Sequence, residues 1–392
     1  MTEPDRRAGK LPMFQIRRFE FACRAGIRSA TLLLAGLLCS QAMGAAAPPE
    51  GDPFEVRLEQ IAEGVYAAIR PVSTRQPVMG NGTVIVNDDH VVVVDGSGSP
   101  LLADRVIAAI RSVTDLPVRY LVISHWHGDH NLGNHRYLEA WPDLEIIGHR
   151  FARAAMLGAP MDYVEEYKVS IPEQMEDLAA RLDSGLGSDG QPLEDYQARE
   201  LGDLVRHADV FLGQIQASRV TPPTVTFEQE LVLYGGGRRI EIRHAGKGNT
   251  AGDAFVWLPE ERILVSGDIV VHPTPYGFYS YPRSWAAVLE GLQALQPRII
   301  VPGHGEVMRD TAYLARLQAL LADVADQAAA AVAAGRSLEE FREALDFEAH
   351  RAGFTGDDPF LDSRWKVWFT EPIAEAAWNE AAGIDNERLV KP

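Results

Sequence analysis

Val118-Arg119-Tyr120-Leu121-Val122-Ile123-Ser124-His125-Trp126-His127-Gly128-Asp129-His130 decides how this chain folds. The run from Val118 to Ile123 is apolar enough to read as a buried strand. The turn after it packs His125, His127, Asp129 and His130 together. Imidazole nitrogens and carboxylate oxygens suit zinc, iron or manganese, and crowding them at a strand end is costly unless a cation binds them. The stretch therefore predicts a metal site at the edge of a sheet.

Upstream, residues 65–69, 82–86 and 90–94 read as strands, with Asn87-Asp88-Asp89 as the turn between the last two. Asp95 opens the loop Gly96-Ser97-Gly98, where a carboxylate serves either a site or the turn itself. Leu102, Val106, Ile107 and Ile110 share one face of a helix over 101–113, and Pro117 leads back into strand. Downstream, 131–138 reads as helix and 144–148 as strand. Such alternation predicts α/β layering.

Residues 150–218 break that rhythm, because 175–182 and 201–212 have helical spacing around a loop at 185–190. This predicts a helical insertion at about 150–220 that covers the site, makes a protomer contact or caps the sheet. His149 and His207 lack ligand spacing and read as packing or surface residues. Strands return over 224–257, with Gly235-Gly236-Gly237 turning a hairpin. Two later runs share one design: an apolar strand ends at Gly267 or Gly303, and the next residue, Asp268 or His304, is able to bind metal.

From Thr311 the chain reads as helix, with Leu314, Leu317, Leu320, Leu321 and Val324 on one face. Gly335 stops it, and Ser337 with Glu340 caps the next helix. Trp365, Trp368, Phe369 and Trp378 suit core packing, or else a dimer contact or pocket wall.

With 392 residues, 46% hydrophobic and 23% charged, the chain can bury a large core. A net charge of -18 argues against nucleic acid as a partner, which would require clustered Lys and Arg. Arg6, Arg7, Lys10, Arg17, Arg18, Arg24 and Arg28 precede an uncharged run at 29–49, whose apolar centre is too short to span a bilayer. With Ala42-Met43-Gly44 as the cleavage site, residues 1–44 read as a secretory signal, with translation starting at Met1 or Met13; an uncleaved anchor is the competing reading. The mature chain from Ala45 is then periplasmic or secreted, without stable membrane association. Cys23 and Cys39 leave with the signal, so disulfides and cysteine ligands are excluded.

His125-x-His127-x-Asp129-His130, Gly267-Asp268 and Gly303-His304-Gly305, in that order, resemble the metallo-β-lactamase superfamily of metallohydrolases. The resemblance covers roughly 54–310 of a fold domain at 45–310 and leaves 311–392 as a helical extension. It implies a four-layer αβ/βα sandwich carrying a dinuclear centre. His125 and His127 would hold the first metal, Asp129, His130 and His304 the second, with Asp268 between them and Asp95 steadying the His loop. The ions would be zinc, with iron or manganese as alternatives. Asn249 stands where the family usually has a histidine for the first metal, and a neutral amide is the poorer zinc ligand. His244 is the alternative third ligand if the loop Gly246-Lys247-Gly248 folds back; otherwise it reads as a solvent-facing histidine at a strand end. The implied chemistry is hydrolysis of a small ester, lactone or amide, β-lactams included, by a metal-bound hydroxide, with Asp129 moving a proton. The loop 271–281 is either a wall for that substrate or packing beneath the C-terminal helices. Competing readings are an iron-dependent oxidoreductase on the same ligands and a metal-binding accessory protein of low turnover.

Overall fold

A computed structural model describes residues 52–70, 78–356 and 358–387. The segment read as a signal, its expected cleavage site, both cysteines and the two candidate start positions lie outside the described residues. The first sheet has seven strands in sequence order: β1 (Arg57–Ala62), β2 (Val65–Ile69), β3 (Gly82–Val86), β4 (Val91–Val94), β5 (Val118–Ile123), β6 (Glu145–His149) and β7 (Val225–Phe227). Strands β1 to β4 pair antiparallel, and β4 to β7 pair parallel. The second sheet runs β12 (Ile299–His304), β11 (Ile263–Val271), β10 (Phe255–Leu258), β9 (Arg238–Arg243) and β8 (Glu230–Gly235), with only β11 and β12 parallel.

Side-chain alternation turns these sheets into four layers. In β4, Val91 and Val93 pack with Val106, Ile107 and Ile110 of α1 (Pro100–Val113), whereas Val92 and Val94 pack against the other sheet. In the second sheet, Ile263, Val265 and Val301 meet those valines. Leu264 and Ile300 face outward onto α8 (Pro282–Ala294) and α9 (Ala312–Ala333). Strands covered on both faces are continuously apolar, which is why β4 and β10 show no polar alternation. The expected αβ/βα sandwich is the architecture observed.

Between β5 and β6 lie the short α2 (Gly128–Asn131) and α3 (Asn134–Ala140). Between β6 and β7 the chain forms α4 (Arg150–Met156), α5 (Tyr163–Ser184), α6 (Asp195–Arg206) and α7 (Ala208–Ala217). The helical spacing over 201–212 resolves into two helices rather than one. His207 breaks it, since its Nδ1 lies 2.8 Å from the Asp203 carbonyl that ends α6. The C-terminal helices cover the second sheet, with Trp365 and Phe369 buried in its core. No helix among the described residues is long and apolar enough to cross a membrane.

One strand end differs from expectation. β11 does not stop at Gly267 but runs on to Val271, and its register with β12 shifts at Gly267. Gly267 adopts φ 51, and a Cβ there would sit 2.5 Å from Cβ of Ser124, so glycine lets the strand kink and continue. Asp268 is thus presented from within a strand.

Asn81 locks the two sheets together at the site edge. Its amide donates to the carbonyls of Pro302 at 3.0 Å and Gly305 at 2.8 Å, its Oδ1 accepts from Arg70 N at 2.9 Å, and its own N–H reaches Gly303 O at 2.7 Å. Asn81→Ala strands these groups in the interior. It is expected to lower unfolding free energy by about 2–4 kcal/mol, read as a shifted denaturant midpoint at unchanged slope. A shift under about 0.5 kcal/mol, the level of an ordinary surface change, would show that Asn81 carries no such load.

Candidate metal centre

Asp95 leaves β4 with φ 62, a left-handed conformation uncommon outside glycine and one that concentrates at functional sites. Its carboxylate accepts from Ser124 N and Ser124 Oγ, each at 2.8 Å, and from His130 Nδ1 at 2.9 Å. Because the Ser124 hydroxyl is spent on Asp95, the 2.9 Å contact between Ser124 Oγ and His125 Nδ1 has the imidazole as donor. Both rings therefore turn Nε2 inward. Fixing a ring through its other nitrogen is how metal-ligating histidines are held. Asn131 completes the loop, donating to the carbonyls of Trp126 at 2.9 Å and His127 at 2.7 Å.

All six residues expected at the centre come together. Asp129, His130, Asp268 and His304 form one group able to hold an ion, and His125, His127 and Asp268 form another, with ligand atoms in each within 4.8 Å of one another. Asp268 belongs to both. His130 Nε2 lies 3.1 Å from Asp268 Oδ1 and 3.3 Å from His304 Nε2, which is 3.0 Å from Asp129 Oδ2. His125 Nε2 lies 3.6 Å from the other Asp268 oxygen. Gly303 makes room for this, since a Cβ there would come within 2.0 Å of Asp268 Oδ1.

The electrostatics fit a cation. Burial, then the neighbouring imidazoles, depresses the pKa of His125 well below its usual value. Burial brings His127 down to about 4 despite Asp129 and Asp268, so both rings offer neutral lone pairs. His130 goes the other way: burial is outweighed by Asp268, Asp129 and Asp95, which hold its pKa well above normal. Burial likewise disfavours the Asp129 anion, but His130 and His304 win and keep it ionised. Three buried carboxylates in one place demand positive charge. His125 Nε2 and His127 Nε2 have no hydrogen-bond partner among the described residues, so the donor set fits metal ions.

The third position of the first group is resolved in part. His244 is engaged elsewhere, with Nδ1 2.7 Å from the Asp253 carbonyl and its ring stacked on His149 at 4.0 Å. Asn249 is fully buried, donates Nδ2 to the Tyr276 carbonyl at 3.2 Å, and leaves its Oδ1 without a hydrogen bond. The loop after Asp268 packs against the C-terminal helices and also borders the centre. Gly277 N bonds to the Trp368 carbonyl at 2.8 Å, while the Tyr276 ring stands edge-on to His304 and to Trp368. Burial, then Asp268, raises the Tyr276 pKa well above normal, so its buried hydroxyl keeps its proton.

Sequence reasoning missed Asn81, Asn131 and Glu387. Asn131 directly follows the His cluster, which was a signal; Glu387 had none. Its buried carboxylate accepts from Trp126 Nε1 at 3.2 Å and Ala251 N at 2.7 Å, propping the loop between His125 and His127 from behind.

The family description "Metallo-beta-lactamase superfamily" matches residues 75–304. With this fold and this pair of histidine–aspartate clusters, the chain belongs to that superfamily. It is 23% identical over 284 residues to a linear primary-alkylsulfatase of Pseudomonas sp. (strain ATCC 19151), covering 70% of this chain and 50% of that one. The chain thus spans about half the length of that relative. It is 24% identical over 238 residues to a type 2 metallo-beta-lactamase of Bacillus sp. (strain 170), covering 59% and 69% of the two chains. A solved metallo-beta-lactamase from Pontibacter korlensis superposes with a TM-score of 0.47 at 17% identity, over 68% of this chain and 99% of that one.

Burial pushes the Glu387 carboxyl up to about 8 against the pull of its two hydrogen bonds. Between pH 4.5, its ordinary value, and about 8, the folded chain keeps a proton that the unfolded chain has released, so this group costs stability as pH rises. Glu387→Gln retains an acceptor without the titration. Its melting temperature relative to wild type should climb from pH 5 to pH 8; a difference independent of pH would contradict the buried, protonated Glu387.

Proposed function

We propose that this chain is a metal-dependent hydrolase with two ions, zinc first among the candidates, held by His125, His127, Asp129, His130, Asp268 and His304. The observation that carries this reading is Asp268, shared by two ligand groups, in the first of which the inward nitrogens of His125 and His127 lack hydrogen bonds. Asn249, which stands where the family usually has the third histidine and leaves its buried Oδ1 without a partner, is the candidate to supplement His125 and His127. When bound, ions in such a site activate water and polarise a carbonyl, sulfuryl or phosphoryl oxygen.

The side chains have separable tasks. Asp129 is the least buried of the six, at 10% side-chain exposure, and is ionised; it orients the attacking water and takes up its proton. Tyr276 keeps its proton and donates to the oxygen that gains charge. Asp95 holds Ser124 and His130 in place without touching substrate.

The substrate class is a small ester, lactone or amide. The similarity to a protein named as an alkylsulfatase supports esters, and that to proteins named as metallo-beta-lactamases supports cyclic amides. Export to the periplasm, with cleavage near Ala45, is part of the same proposal, and N-terminal sequencing of the exported protein tests it; a retained Met1 or Met13 would refute cleavage.

Metal analysis of purified protein, paired with chromogenic ester and β-lactam hydrolysis, tests the reading. Two equivalents of metal and activity lost to chelation are expected. Asp268→Ala should cut both metal content and hydrolysis, the latter by about 100-fold or more, and Asp95→Ala should weaken metal affinity by about 10–100-fold. Asn249→His should tighten one metal equivalent and not the other. Undiminished hydrolysis in His127→Ala and Asp268→Ala, or iron with oxygen uptake and no hydrolysis, would overturn the proposal.

A further inference from the structure

Helices α5 and α7 do not close fully on the site edge. Between them and the segment around Met79 runs a narrow slot, with about 530 Å³ of space between atoms when its open mouth is counted. Met79, Leu132, Val164, Phe211 and Ile215 give it apolar walls. Among the described residues Asp129 is the only charged one lining it, and Asp129 Oδ2 is 3.0 Å from His304 Nε2. One end of an apolar slot therefore reaches Asp129, a residue of the reactive centre.

Tyr163 and Tyr167 add two buried phenol oxygens to the lining, and the other three polar side chains on the walls are used by the fold. Gln214 Oε1 accepts from Leu101 N at 2.7 Å, Ser99 Oγ accepts from Leu102 N at 3.4 Å, and Ser218 Oγ donates to the Gln214 carbonyl at 2.9 Å. The exposed lining is mainly apolar, so an occupant gains chiefly by bringing methylenes out of water. The helices that form the wall are also the ones that interrupt the α/β alternation, so the insertion builds a subsite that the sandwich alone lacks.

We infer that this slot takes the unbranched aliphatic tail of an ester whose cleavable head lies at the His–Asp centre, so that the preferred substrates are amphiphiles rather than compact rings. The inference rests on the hydrolase reading for the head and on the slot alone for the tail. Each methylene buried should tighten binding about fourfold until the slot is full.

Two measurements on the full chain with its co-purified metal separate these parts. Calorimetry with n-butanol, n-hexanol and n-octanol reads the tail without any reaction. The dissociation constant should fall by about 15-fold per two methylenes, and Ile215→Trp, which fills the slot, should flatten the series. Kinetics with p-nitrophenyl esters from acetate to decanoate, and with n-alkyl acetates from ethyl to decyl, show whether the tail enters on the acyl or the alcohol side. In the productive series the long-to-short ratio of kcat/KM should exceed one, and should drop about tenfold or more in Ile215→Trp but not in Ile215→Leu. Alcohol affinities that ignore chain length, or length preferences identical in wild type and Ile215→Trp, would overturn the slot. Length-dependent alcohol binding that is lost in Ile215→Trp, with no ester cleaved at any length, would leave the slot standing and sink the hydrolase reading.

Discussion

The hydrogen bonds of one carboxylate set the rest of the site. Asp95 stands at the end of β4 in a backbone conformation that few residues accept, and from there it grips both ends of the loop leaving the neighbouring strand. Parallel pairing of β4 with β5 puts the two strand ends side by side, so a short side chain is long enough. Without that grip Ser124 would be free to rotate, the His125 tautomer would no longer be fixed, and His130 would lose the partner of its outer nitrogen. The strain in Asp95 is local; the order it imposes extends across both ligand groups.

Around this fixed loop the protein concentrates charge that it would otherwise avoid. Asp95, Asp129 and Asp268 are drawn together with four imidazoles in a nearly dry place, and opposite pKa shifts within a few ångströms express the conflict. Asp268 is central because the kink at Gly267 keeps it inside β11, between Gly267 and Val271, which pair with β12 and limit its freedom. A ligand on a strand is held more rigidly than one on a free loop. The two sheets contribute unequally: the first provides the histidine loop, the second the shared carboxylate and His304, and Asn81 keeps their edges in register.

Much of this was legible in the chain itself. Apolar runs of strand length with helical spacing between them led to the layered sheets, because both patterns are set by burial on known faces. The six ligand candidates were legible because metal-binding side chains clustered after strands are rarely neutral in meaning. What escaped was of another kind. The kink at Gly267 depends on Ser124 across the sheet, Asn81 bonds to carbonyls more than 200 residues away, and Glu387 supports Trp126 from the far end of the fold. Such contacts leave no local periodicity, and a side chain that bonds to backbone looks like any other polar residue in a loop. The break at His207 escaped for a related reason, since a single ring–carbonyl contact overrode continuous helical spacing.

The prop beneath Trp126 also has a bearing on time. It joins residues 261 positions apart, among the longest closures in the molecule. Contacts of such separation form late, after the local pairings that shorten the effective loop. The layered sheets and the Asp95 grip can thus assemble while the histidine loop still lacks its rear support. A metal ion arriving early would meet a pliable nest, and one arriving late a finished cage; the order of folding and metal loading is therefore built into where along the chain the last support was placed.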